Sequence, residues 1–274
     1  MVASSLGGKS VRRPHLFEFL DKGWYPAPFR RMQTDYLRFV HSVQIGPHPA
    51  ASHLASVLRQ TGTTQVVDLC SGGAGPWPHL QPALERSGVV VSVKLTDLHP
   101  TPDALEQSSG LPNGRLEYVA EPVDATAVPE HLRGMRTLFE GFHHFRAKEA
   151  RQVLLGASAG GAPIGVFEVA MPRTLVVVLA PALALVTVLA YLLVTPTLRP
   201  RTLSRFLWTY LLPAVPLATS WDGIVSLLRV YSPDELRALA ASIPAPDYVW
   251  EIGDEPIAGP VVRLVYLLGY PARG

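Results

Sequence analysis

The sequence predicts an α/β fold built on a mostly parallel sheet that ends in an antiparallel hairpin. Three observations carry that reading. Short apolar or β-branched runs alternate with amphipathic helical segments between residues 65 and 170, which argues for right-handed crossovers between parallel strands. The two last strand-like runs lie too close in sequence for a crossover, so they pair antiparallel. One run, Val66 to Gly75, passes from an apolar strand through an acid into a glycine-rich turn.

The elements follow in order. Phe17, Phe19, Trp24, Tyr25, Phe29, Tyr36 and Phe39 mix with charges near the start, and Met32, Tyr36, Phe39, Val40 and Val43 fall at helical spacing. With a second helix from about Pro49 to Gln60, residues 1–60 are expected to form a helical cap. Strands are predicted at Gln65–Leu69, Val89–Thr96, Leu116–Val119, Met135–Phe139 and Pro163–Ala170, with a helix over Arg146–Ala157 before the last. Ser232, Pro233 and Glu235 carry the marks of a helix start: a capping hydroxyl, a proline at the first helical position and an acid that reaches back. Tyr248–Gly253 and Val262–Leu268 form the terminal hairpin. Residues 61–172 and 222–274 are thus two parts of one core, separated by an apolar helical insertion at 173–221.

Composition narrows the function. The chain has 274 residues, 48% of them hydrophobic and 17% charged, so it can offset its folding entropy and is not disordered. A net charge of +2 gives no general nucleic-acid footprint. Cys70 is the one cysteine, which excludes an internal disulfide framework and points weakly to a reducing, cytoplasmic setting. Every histidine lies at or before His144, and no metal site is expected. Met1 to Ser10 lack the apolar run of a signal peptide.

The glycine turn supplies the positive φ and close backbone approach that a ligand at the carboxyl end of the first strand requires. A dinucleotide fingerprint counted from Gly73 would place its last glycine at Pro78, which lacks both the small side chain and the N–H. The chain instead resembles the class I S-adenosylmethionine-dependent methyltransferases, over roughly residues 64–170 and 221–270. Asp68 matches the acid of their first motif and Gly72 its middle glycine, while Cys70 and Ala74 stand where the family has glycines. Thr96-Asp97-Leu98 is similar to the element that binds the ribose, Val123-Asp124-Ala125 to the one flanking the adenine, and Leu138 to Phe145 to the fourth-strand motif. The resemblance implies a Rossmann-like fold and S-adenosyl-L-methionine as cofactor. It also implies a cofactor site of Asp68, Cys70, Gly72, Gly73, Asp97, Leu98, Asp124 and Ala125.

Each of these residues also has a plainer use. Asp68 suits a tight turn, Asp97 a helix cap and Asp124 an ordinary turn. Cys70 reads as a packing residue rather than a nucleophile. His143 and His144 are the candidates for a general base, one working and the other structural. Trp24, Tyr25, Phe142 and Trp221 are expected to line a dry acceptor pocket, with Glu140 and Glu168 as further polar candidates.

Thr174 to Leu198 carries no charged residue and, as a helix, would reach about 37 Å, enough for a bilayer core of ~30 Å. A single crossing would separate the last strands from their sheet, and a double one would carry Arg199, Arg201 and Arg205 across. Residues 174–221 are therefore expected to lie against the inner face of a membrane, or to form a lid or a homodimer interface. Either use suggests a lipophilic small-molecule acceptor. Two alternatives stay open: a non-catalytic S-adenosylmethionine-binding or membrane-associated partner protein, and an NAD(P)-dependent oxidoreductase.

Overall fold

A computed structural model describes residues 13–43, 48–100 and 115–272. The reading of Met1 to Ser10 falls outside them. Seven strands form one sheet: β1 Gln65–Leu69, β2 Ser92–Leu95, β3 Leu116–Tyr118, β4 Met135–Phe139, β5 Ile164–Ala170, β6 Tyr248–Ala258 and β7 Val262–Pro271. Their spatial order is β3-β2-β1-β4-β5-β7-β6, and β1 to β5 are parallel. Only β7 runs antiparallel to β5, and β6 pairs with β7 at the edge. This is the Rossmann-like arrangement that the resemblance implied. The order doubles back at β1, between β2 and β4, so the loops after β1, β2 and β4 converge at a topological switch point.

Helices cover both faces. On one, α2 (Ala50–Thr61) and α3 (Trp77–Arg86) bury Leu54, Leu58, Trp77, Leu80 and Leu84 against Val66, Val93 and Met135. On the other, α4 (Ala147–Ala159) and the later α8 (Pro233–Ala241) bury Val153, Leu154 and Leu236 against Val67, Leu138 and Val166. The capping box at α8 forms as its sequence predicts: Ser232 Oγ accepts the Glu235 N–H at 3.3 Å, and Glu235 Oε2 accepts the Ser232 N–H at 2.8 Å.

Some strand boundaries differ from expectation. The predicted strand Val89–Thr96 begins only at Ser92, because the Val89 N–H closes the end of α3 on Leu84 O at 2.9 Å. Val89 and Val91 are buried without belonging to the ladder. The terminal strands run longer than predicted, since β6 is an edge strand that absorbs Pro256 through a bulge between Pro256 and Ala258.

Of the segment expected to form a helical cap, α1 is Ala27–Ser42, whereas α2 packs on the sheet as part of the core. The insertion is a hairpin: α5 (Arg173–Val194) runs out, and α6 (Leu203–Phe206), a π-turn at Leu207–Leu211 and α7 (Ala214–Arg229) return. Among the described residues, Arg173–Thr197 is the one unbroken helix long and apolar enough to cross a membrane, at mean hydropathy 2.6. The return arm is bent by 69°. The far end of the hairpin is anchored to α1. Tyr36 stacks on Tyr191 at 4.6 Å, Tyr191 Oη donates to Met32 O at 3.0 Å, and Arg205 pairs with Asp35. An upright crossing would draw α1, with Arg30, Arg31, Asp35 and Arg38, into hydrocarbon, at a cost of several kcal/mol per ion.

Candidate functional site

The turn after β1 is shaped from beneath by Asp68. Its carboxylate is fully buried and accepts hydroxyl protons from Ser71 and Thr137, each at 2.6 Å. Burial pushes its pKa up to about 6, although these hydrogen bonds pull the other way. The Ser71 N–H donates to Thr96 O at 2.9 Å and the Thr96 N–H to Asp68 O at 2.8 Å, which extends the β1–β2 pairing into the turn. Asp68, expected to touch the cofactor, is turned inward instead and fixes the backbone of the turn above it.

That backbone keeps its left-handed path without all of the family's glycines. Cys70 (φ 58°) and Ala74 (φ 77°) adopt the same region as Gly72 and Gly75 (both φ 49°). A side chain in that region costs about 1–2 kcal/mol, so the surrounding bonds must hold the turn. A Cβ at Gly72 or Gly75 would meet nothing within 4 Å, so there the turn faces open space. Gly73 differs, because α1 covers it: a Cβ there would lie 3.1 Å from Arg38 Nε. Gly72, rather than Gly73, is the approachable glycine.

The acids predicted after β2 and β3 reach the same edge. Asp97 Oδ2 accepts the Gly72 N–H and Oδ1 the His99 N–H, both at 2.9 Å. Each oxygen retains a further lone pair, the acceptor capacity that a vicinal diol needs. Asp97 O accepts the Val123 N–H at 2.9 Å, which ties the next loop to it. Asp124, exposed, forms an Asx-turn with Thr126 N–H at 2.8 Å and Oγ1 at 2.7 Å. Ala125 is buried beneath it and Leu98 is exposed beside Asp97. Burial, and then the charges of Asp97, Asp68, Glu168 and Asp124, push the Cys70 thiol well up, so it stays neutral, as a packing residue should.

The ends of β4 and β5 rearrange the expected base site. Glu140 holds φ 51°, its N–H donates to Phe167 O at 3.0 Å and its Oε1 accepts the Val169 N–H at 2.8 Å. Burial and the neighbouring charge of Glu168 push its carboxyl above the ordinary range, against the pull of His143. At Gly141 a Cβ would sit 3.0 Å from Cys70 Cβ, so a side chain there would press the two loops apart. A 3₁₀ turn, Phe142–His144, follows.

Phe142 packs fully buried against Tyr231, with ring centroids 5.5 Å apart. It is a core residue, not the pocket lining the sequence suggested. Glu168 is buried as well. Its Oε1 accepts the N–H groups of Phe142 (2.6 Å) and His143 (3.1 Å), and its Oε2 lies 2.6 Å from His143 Nδ1. Its role is to position the turn rather than to meet an acceptor. Burial disfavours charge on His143, but Glu168 and Glu18 outweigh it and raise its pKa to about 10. A protonated imidazole has no lone pair with which to take a proton, so in that state His143 cannot act as a base. His144 Nδ1 faces Asp21 Oδ1 at 2.7 Å.

Sequence reasoning missed Glu18, Asp21 and Arg229. Arg229 Nη1 bridges Glu18 Oε1 (2.9 Å) and Asp21 Oδ2 (2.7 Å), and its other nitrogens hold the carbonyls of His143 and His144. The partners lie more than 200 positions apart, so no local spacing signals them. The predicted aromatics gather elsewhere: Trp221 packs on Phe17 at 5.6 Å, and Phe19 on Tyr25 at 5.4 Å and on Trp24 at 6.1 Å. They form the seam between cap and hairpin, where Tyr25 is buried and Trp24 exposed.

Among solved structures the chain is similar to an O-methyltransferase family protein from Burkholderia thailandensis, at 16% identity and TM-score 0.44, covering 82% of this chain and 56% of that one. It is also similar to the mitomycin 7-O-methyltransferase MmcR, at 15% and 0.49, covering 93% and 61%. A third similarity is to LepI in complex with SAM, at 15% and 0.49, covering 89% and 52%. The chain thus spans 52 to 61% of the length of these three. No family model matches it, and no curated protein matches it in sequence. At such scores the likeness is one of coarse shape, and the site stands on its own geometry.

Proposed function

We propose that this chain is an S-adenosylmethionine-dependent methyltransferase acting on a lipophilic small molecule at the inner face of a membrane. The observation that carries the reading is the open, left-handed turn at Gly72 with the Asp97 carboxylate locked against it. A backbone free of side chains can approach a nucleoside there, and a carboxylate at the next strand end can accept its sugar hydroxyls. Asp124 and Leu98 lie on the same edge, suited to the base. The bound cofactor would supply an already activated methyl sulfonium, so alignment with the acceptor carries much of the rate.

With His143 charged, Glu140 takes the proton-acceptor role. It stands at the end of β4, next to the turn, and its raised pKa suits a base working near neutrality. The apolar hairpin supports the membrane placement. Val178, Leu193, Leu203 and Leu211 are each more than 70% exposed, a density of bare aliphatics that water disfavours. Because α1 ties down its far end, the hairpin would lie in the interface rather than stand upright.

The test is methyl transfer from isotopically labelled S-adenosylmethionine into a lipid extract, with S-adenosylhomocysteine measured alongside. Label in an extractable product, matched by S-adenosylhomocysteine, supports the reading. Cofactor binding without release of S-adenosylhomocysteine would make the chain a binding protein instead.

A further inference from the structure

We propose that Glu18, His143 and His144, with Asp21 beside them, form a binding site for a divalent transition-metal ion that fastens the N-terminal segment to the turn after β4. One ligand atom from each of the first three lies within 4.8 Å of the other two. His143 Nε2 is the key to the site. The side chain is only 3% exposed, Nε2 has no hydrogen-bond partner, and it points at Glu18 Oε1 from 3.6 Å. His144 Nδ1 lies 3.8 Å from Glu18 Oε2 and 2.7 Å from Asp21 Oδ1, so it faces both carboxylates. A buried imidazole nitrogen left without a partner costs about 1–3 kcal/mol, unless something fills the gap.

The surroundings suit a metal. Glu168 holds His143 Nδ1 at 2.6 Å, which fixes the ring and leaves Nε2 as the donor, as carboxylates do behind metal-bound imidazoles. In a tetrahedral site with bonds of ~2.0–2.1 Å, ligand atoms stand ~3.3 Å apart, close to the 3.6 and 3.8 Å seen here. Arg229 binds Glu18 Oε1 and Asp21 Oδ2, leaving Glu18 Oε2 and Asp21 Oδ1 turned towards His144. Three carboxylates (Glu18, Asp21 and Glu168) face one guanidinium, so a dication that displaces the Nε2 proton of His143 would bring the cluster to neutrality. Two imidazoles with carboxylate oxygen select Zn²⁺, Fe²⁺ or Co²⁺ over Mg²⁺ or Ca²⁺. The site does not depend on the methyl-transfer reading.

Co²⁺ is the probe. The full chain, stripped with a chelator and checked for folding by circular dichroism, is titrated with Co²⁺ while visible absorption is followed. One equivalent should give the intense d–d bands of a low-coordinate site, Zn²⁺ should abolish them, and apparent Tm should rise. Glu168→Gln should weaken binding by roughly 10–100-fold, and His144→Ala, whose ring is partly exposed, should weaken it at least as much. A folded wild-type protein with no such bands overturns the proposal. So do bands of equal strength and affinity in His144→Ala.

Discussion

Glu168 grips His143 twice, its Oε2 2.6 Å from the ring Nδ1 and its Oε1 taking the backbone N–H at 3.1 Å. The carboxylate that holds the turn also favours charge on its imidazole, so the proposed methyl transfer takes Glu140, at the end of β4, as its proton acceptor. Glu140→Gln should leave affinity for S-adenosylhomocysteine within about twofold and lower kcat by roughly 10²–10⁴. Single-turnover methyl transfer at saturating cofactor reads this directly. A kcat within threefold of wild type removes Glu140 from the chemistry.

The turn after β1 stores strain in Cys70, whose Cβ also confronts Gly141. Cys70→Gly should relieve the left-handed penalty and stabilise the fold by roughly 0.5–2 kcal/mol. Gly141→Ala should cost about 1–3 kcal/mol through overpacking, and less when Cys70 is glycine. A denaturant double-mutant cycle reports the coupling, and additive effects would show that the two loops do not press on each other.

Acid should loosen the start of α2. His48 Nδ1 accepts the Ala50 N–H at 3.1 Å at the start of α2. Burial, with the charges of His41 and His79, lowers its pKa to about 4. A histidine whose folded pKa lies below its unfolded value of about 6.5 stabilises the fold fully above that pH, and the contribution is lost as pH falls towards 4. His15 is depressed to about 4 too, mainly by burial, and adds in the same direction. The histidine contribution should therefore fall between pH 6.5 and 4.5, while the raised carboxyls of Asp68 and Glu140 act in the opposite direction, so it is read as the difference in apparent Tm between wild type and a His48 variant. His48→Asn, which retains an acceptor, should flatten part of that fall, and an unchanged slope would clear His48.

The hairpin makes a separate prediction. Replacing Leu193, Leu203 and Leu211 together with Gln should leave Tm nearly unchanged, because all three are exposed. Co-flotation with anionic liposomes should be almost wholly lost, since each lost aliphatic forfeits roughly 1.5–3 kcal/mol of burial. Equal flotation of variant and wild type would place the lipid contact elsewhere, or nowhere.

Much of the fold was legible because its signals are local. The runs at Gln65–Leu69 and Met135–Phe139 give strands at those very bounds, and Ser232 and Glu235 cap α8 as spaced. The glycine turn and the acid locked to it were readable for the same reason: Gly72 and Asp97 each follow a strand that ends where its apolar run ends. The histidine network was not readable. Whether His143 is a base or a cation depends on Glu18 and Glu168, and on Arg229 behind Glu18, none of which lies near it in sequence. Phe142 misled similarly, since an aromatic beside a motif faces core or pocket according to a partner, Tyr231, that only the fold supplies.

The most direct measurement is calorimetric titration of S-adenosylhomocysteine into the wild-type chain and into Asp97→Ala. The geometry at Gly72 predicts saturable one-to-one binding to the wild type and an affinity at least tenfold lower in the variant, a difference of about 1.4 kcal/mol, with both proteins equally folded. Equal affinities, or no heat from a folded wild type, would contradict it.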